Sequence, residues 1–551
     1  MDLPQVTRFI NGCILSKAET GLDAQAGFSE SMLVENGVIT AIGSQEETIP
    51  EKNNVKTQVA TVDLERRTVL PGFVDGHMHL LLLGQSLRKL DLDRCKSLDD
   101  IQTCIKSYAT SNPGVPRILC KNWVRTMTPD GAMASMLDGI DPRPIFIEDR
   151  HLHSTWCNTA ALEELGAADL PDPVGGSIER DVDGKPTGIL SEGAILTIIW
   201  PHLAQVSPLQ ERMDAMVEAV QVYNASGYTG VIEMAMDEAA WDALVTLRKA
   251  RPDLSIRLAA YWIIKPSGDA ASRSKQVKRA IELSRRFNST TSPDLRLVGI
   301  KIICDGVIDA CTAYLSEPYA PAIDSPPPLW KREDLEPVVQ EADAAGLQVA
   351  LHAIGDGAIK LAVDVLEKCA TPGRRHRIEH LELASPEEAK RLGELKLTAS
   401  IQPVHADPAI LKEWPRLLGE DRCGRAFAYR DFADAGALMA IGSDSPTAPW
   451  DPFKNLYIAT TRRSAKEAES EATVNAHFRL GMCEAIVAAS AGAASSVFAE
   501  SRIGSLAVGK VGDFIAVDME WEASRLLHAE VKETWFGGRR VWDATKTTRD
   551  T

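Results

Sequence analysis

The stretch TVLPGFVDGHMHL, residues 68–80, is a largely apolar run that stops on two histidines. Such a run reads as a buried strand. Side chains at i and i+2 of an extended segment share one side, so His77 and His79 can converge on a single ion at the strand's end. Alone, an HxH pair is a weak pointer. Its weight depends on what the rest of the chain supplies.

Working outward from it, further strand candidates alternate with helical stretches, the pattern of βα units around a parallel sheet. They are YTGVIEM (228–234), SIRLAAYWII (255–264), LRLVGIKIICDG (295–306), LQVALHAI (347–354), HRIEH (376–380), LTASIQP (397–403) and ALMAIGSD (437–444). With 68–80 they make eight, and the expected fold is α/β, a (β/α)8 TIM-type barrel. A ninth run, RPIFIED (143–149), lies in a Pro- and Gly-rich region at about 81–215 without regular βα spacing, and is assigned to an insertion after the first strand. Intervening stretches such as REDLEPVVQEADAAG (332–346) and SPEEAKRLGEL (385–395) are amphipathic; the latter opens with a Ser385/Glu388 capping box.

Functional groups of a parallel barrel gather at the C-terminal ends of its strands. That rule selects His77 and His79 on strand one, Lys301 and Asp305 on strand four, His352 on strand five, His380 on strand six and Asp444 on strand eight. The chain has 11 histidines, and four of them fall at these ends. Neutral imidazoles and a carboxylate are the usual ligands of catalytic zinc, which also keeps one position open for water. An ion pair with Asp305 is the alternative reading of Lys301, and a helix cap that of Asp444.

Both termini read as short β-type runs: QVTRFINGCILS (5–16) and MLVENGVITAIG (32–43) at one end, GSLAVGKVGDFIAVD (504–518) and VKETWFGGRRVWD (531–543) at the other. Strands far apart in sequence share a sheet if the chain leaves and returns. The expected organisation is a small β-sandwich from residues 1–67 and 497–551, enclosing a barrel over 68–496.

A chain of 551 residues exceeds one small core. With 60 basic and 77 acidic side chains it carries a formal charge of −17, which disfavours nucleic acid and anionic membrane as partners. The N-terminus shows no basic-then-apolar export signal. The apolar run at 485–499 falls short of the roughly 20 residues a bilayer needs. Ten scattered cysteines without CxxC pairs read as reduced thiols. A cytoplasmic protein with a small-molecule substrate is expected, with a homodimer left open.

The motifs, taken in order, resemble the amidohydrolase superfamily, and within it the amidohydrolase-3 group of YtcJ-like proteins and N-substituted formamide deformylases. They are LPGFVDGHMHL (70–80), HSTWCNTAAL (153–162), GGSIERDVDGKPTGIL (175–190), IKIICDG (300–306), LHAIGDGAI (351–359), RIEHLELASPEE (377–388), SIQPVHAD (400–407), IGSDSPT (441–447) and GSLAVGKVGDF (504–514). The resemblance implies that His77, His79 and Asp444 hold the more buried metal, while His352 and His380 bind a second metal or the substrate carbonyl. It implies Zn2+, as one or two ions, and matches Lys301 to a lysine that some relatives carboxylate. Trp123, His153, Trp156, Gln402 and His405 match positions near the pocket mouth, and Asp305 joins them as a substrate-side candidate; core packing is the alternative for the tryptophans. Glu192 is a lesser candidate. The chain departs from many relatives at Asn122, where they carry a glycine before the tryptophan.

The activity so implied is hydrolysis of a C–N bond (amide, N-formyl or ureido) by a metal-bound hydroxide. Asp444 serves as general acid–base and His380 assists at the carbonyl. A metal-dependent lyase, decarboxylase or isomerase on the same scaffold, and a non-catalytic binding protein, are the alternatives.

Overall fold

The computed structural model describes residues 6–50, 59–150, 152, 154–173, 176–320 and 323–547. Eight strands form its central sheet: β1 (Phe73–Met78), β2 (Tyr228–Met236), β3 (Arg257–Ile263), β4 (Leu295–Ile303), β5 (Gln348–Ala353), β6 (Arg377–His380), β7 (Thr398–Ile401) and β8 (Leu438–Ile441). They neighbour one another in chain order and run parallel. Asp444 N donates to His77 O at 2.7 Å and His79 N to Ser445 O at 2.9 Å, which ties the end of β8 to the end of β1 and closes the barrel. Closure therefore juxtaposes residues 77–79 with 444.

Alternation along each strand separates two cores. Outward residues such as Ile300, Ile302, Leu351, Ala399 and Ile401 join a large apolar cluster beneath the helices. Inward residues Val74, Ile232, Met234, Ala259, Tyr261, Ala350 and Ala440 plug the barrel from below. The helix Pro386–Glu394 starts as its sequence indicates, with the Ser385 hydroxyl accepting from Glu388 N at 3.2 Å.

The run 68–80 is not one strand. Residues Thr68–Pro71 pair with Phe514–Asp518 and with Cys13–Ala18 in a six-stranded sheet built from both termini. The break falls at Gly72, where a Cβ would lie 2.3 Å from the Thr229 hydroxyl, and Gly72 N turns instead to Asp513 O. Residues 68–71 thus pair with the terminal strands, not with the barrel. A four-stranded sheet containing Val6–Ile10 and Ser31–Glu35 packs against this one over Phe9, Phe514 and Trp535, whose rings meet at 4.8–5.5 Å.

The segment after β1 is more ordered than its sequence suggests. Helices Leu80–Arg88 and Leu209–Ala225 pack on each other. Between them a lobe forms its own six-stranded mixed sheet, in which Ile145–Asp149 is an inner strand. No helix among the described residues is long and apolar enough to cross a membrane.

Candidate metal centre

Five imidazoles and one carboxylate meet at the C-terminal rim of the barrel. Asp444 Oδ1 lies 3.3 Å from His77 Nε2 and 3.2 Å from His79 Nε2, and Asp444 Oδ2 lies 3.7 Å from His405 Nε2. The His77 and His380 ring centres are 5.1 Å apart, and those of His380 and His352 4.2 Å. The backbone turns sharply to achieve this: His380 and Asp444 sit at φ of 77° and 56°. Non-glycine residues rarely occupy that region, and the strain concentrates where side chains must be re-aimed at the end of a strand.

The site has a buried polar floor. His77 Nδ1 lies 2.7 Å from Glu379 Oε2, and Glu379 Oε1 accepts from Arg377 Nε at 2.8 Å. Arg377 is fully buried and also donates to Gly76 O, Ser400 Oγ and Ser496 Oγ. Burial alone pushes the Glu379 carboxyl up, but Arg377 and His77 hold it well below the usual carboxylate range. An anionic Glu379 accepts a hydrogen bond from His77 Nδ1–H, which selects the tautomer whose Nε2 lone pair faces Asp444. Glu233 stands behind His79, its Oε1 3.8 Å from Nδ1, with burial pushing its carboxyl up to about 7.

Desolvation lowers His380 well below, and His352 to about 3, so both rings are neutral at physiological pH. Asp444 is also lowered, well below the usual carboxylate range: burial opposes ionisation, yet His77 and His79 outweigh it. Lys301 is buried, carries no hydrogen-bond partner at Nζ, and is lowered by desolvation to about 8.

These groups fit a divalent metal. His77, His380 and Asp444 bring ligand atoms within 4.8 Å of one another, and His380, Glu382 and His405 form a second such group. Tetrahedral zinc with ligand bonds of about 2.0–2.1 Å places its ligand atoms about 3.3 Å apart, matching the Asp444 contacts with His77 and His79. His79 Nδ1, His380 Nδ1 and Lys301 Nζ are buried without hydrogen-bond partners.

The structure thus gathers His77, His79, His352, His380, Asp444, Lys301 and His405 at one rim. It places His380 within reach of His77 and Asp444 as well as against His352, with which the resemblance pairs it. Gln402 is buried at the end of β7 with neither side-chain atom bonded. Asp305 pairs not with Lys301 but with the backbone, accepting from Tyr314, Ile354 and Gly355 N at 2.9–3.1 Å. It holds the loop after β5 in place, and its Oδ1 lies 3.6 Å from His352 Nε2. Glu192 accepts from Thr312, linking the lobe to the loop after β4.

Trp123 and Trp156 are a correction. Both are buried in the lobe's apolar core, 5.6 Å from each other, with indole nitrogens donating to Thr128 Oγ1 and Met133 O. Asn122, where the resemblance implies a glycine, sits at a φ of 68°, and asparagine is among the better non-glycine residues at such an angle. His153 lies outside the described residues. Sequence reasoning overlooked Glu379, Arg377, Glu233 and Glu382. A signal existed for the first two, since RIEH carries both on alternate positions of the strand that ends in His380.

Comparison with known proteins supports the same reading. The model of the "Amidohydrolase family" matches residues 60–542. YtcJ of Bacillus subtilis is 28% identical over 94% of this chain and 96% of its own. The N-substituted formamide deformylase of Arthrobacter pascens is 25% identical over 95% of this chain and 97% of its own. A crystal structure described as an uncharacterized metal-dependent hydrolase from Pyrococcus horikoshii superposes with a TM-score of 0.77 at 25% identity, over 94% of this chain and 98% of that one. With barrel, histidine rim and matched segments in agreement, this chain belongs to the amidohydrolase family.

Proposed function

We propose that this protein is a zinc-dependent hydrolase of a C–N bond in a small amide, N-formyl or ureido compound, with Asp444 as general acid–base. The observation that carries this is the position of Asp444, whose carboxylate faces His77 Nε2 and His79 Nε2 at 3.3 and 3.2 Å and is buried with them. Zinc, when bound, lowers the pKa of a water from ~15.7 to about 7 and polarises a carbonyl.

The chain's own groups do the rest. Glu379 and Arg377 fix the His77 tautomer. Asp444, ionised at every physiological pH, takes a proton from the attacking water at Oδ2 and passes it to the leaving nitrogen. His405 is raised, Glu382 outweighing its burial, and lies 3.7 Å from that oxygen. It orients the carboxylate through the transfer. Lys301, largely desolvated, holds an amine ready for carboxylation beside the histidines.

Asp444→Asn tests the proposal. The variant is expected to retain metal and to lose about 10²–10⁴-fold in kcat, the usual contribution of a positioned acid–base. Turnover in isotopically heavy water places solvent oxygen in the product of a hydrolase. Near wild-type kcat in the variant removes Asp444 from the role, and a product without solvent oxygen removes hydrolysis itself.

A further inference from the structure

We propose that Gln402 is a specificity-determining residue, and that the substrate presents a hydrogen-bond donor and acceptor side by side, as a ureido group, a primary carboxamide or a lactam does. This rests on the hydrolase reading above and narrows its substrate class.

Strand β7 lies between β6, which ends in His380, and β8, which leads to Asp444. On it Ala399 and Ile401 face the outer apolar cluster, whereas Ser400 accepts from Arg377 inside the barrel. Alternation therefore turns Gln402 inward, one pleat above Ser400. Ser400 is in register with Glu379 on one side and Ala440 on the other, so Gln402 stands level with the ends of the two flanking strands. It is 1% exposed, and neither Nε2 nor Oε1 has a hydrogen-bond partner.

A carboxamide offers two donors and an acceptor with two lone pairs. Leaving both ends unpaired in a protein interior is costly and uncommon, unless the partner arrives with the ligand. Side by side on one planar edge, Nε2–H and Oε1 complement a carbonyl with an N–H on its own edge. Ureas, primary amides and lactams have that edge. Acyclic secondary amides in the trans form hold N–H and C=O on opposite edges and match one end of Gln402 at a time. Sites built to hydrogen-bond a polar group discriminate strongly against analogues lacking it.

The test is calorimetric binding of phenylurea and of N,N-dimethyl-N′-phenylurea to the full-length, metal-loaded protein. Wild type is expected to bind phenylurea about tenfold tighter or more. Gln402→Leu and Gln402→Ala are expected to erase the difference at unchanged metal content. An unchanged ratio in both variants, failure of phenylurea to bind wild type, or loss of metal on substitution each overturns the assignment; the last would move Oε1 into the metal shell. Hydrolysis is scored separately. Selective binding without turnover of any carbonyl compound sinks the hydrolase reading and leaves Gln402 in place, whereas turnover without selectivity does the reverse.

Discussion

Replacing Glu379 with glutamine changes one atom and removes one charge, at a residue that touches no substrate. Its two oxygens serve two partners, His77 Nδ1 at 2.7 Å and Arg377 Nε at 2.8 Å, and both partners donate. A glutamine can satisfy one. With its oxygen toward His77, its amide hydrogens face the Arg377 donor. With its oxygen toward Arg377, its amide forces His77 Nδ1 to accept, which moves the imidazole proton to Nε2 and removes the lone pair an ion needs. Arg377 also loses its one carboxylate partner among the described residues, and it is 0% exposed.

Disturbing such a histidine partner typically costs about 10–100-fold in metal affinity. Breaking a buried ion pair costs about 3–5 kcal/mol, and the neutral glutamine keeps the loss near the lower end. Competition against a chelator measures the first effect, and urea unfolding of metal-free protein the second. A Glu379→Gln variant that binds metal within about twofold of wild type would show that Glu379 does not set the His77 tautomer.

Gly84→Ala should destabilise by about 1–3 kcal/mol, the usual result of overpacking, because the new Cβ would lie 2.0 Å from Ala215 O; an unchanged unfolding midpoint refutes that contact. Stability should fall as pH drops below about 6.5, since burial lowers His376, whose Nδ1 accepts from Val349 N while Nε2 lies 3.0 Å from Asp343. A depressed folded pKa means the unfolded state takes up the proton first, so stability is present above that pH and lost below it; His376→Gln should flatten the slope of unfolding free energy against pH. Incubation with labelled bicarbonate should give a carbamate resonance that Lys301→Arg abolishes, and its persistence in the variant would place the carbamate elsewhere.

Much of the fold was legible because barrel strands are buried on both faces and announce themselves as short apolar runs. The rule that function gathers at strand ends then selected His77, His79, Lys301, His352, His380 and Asp444 with no knowledge of contacts. The tryptophans misled for an equally physical reason. A motif position records that a side chain matters, and Trp123 and Trp156 matter to the lobe's core. The lobe was underestimated because mixed and antiparallel pairing leaves no βα rhythm to read.

By itself the sequence determined the period of the barrel elements and, to within a few residues, where most barrel strands end, since both depend on neighbours a few positions away. The tertiary structure decided what faces what. Closing β8 onto β1 brings Asp444 to His77 across the chain, and the register of β6 with β7 stacks Arg377, Glu379 and Ser400 beneath the histidines. Those pairings are set by which strands become neighbours in space, and no local pattern of residues encodes them.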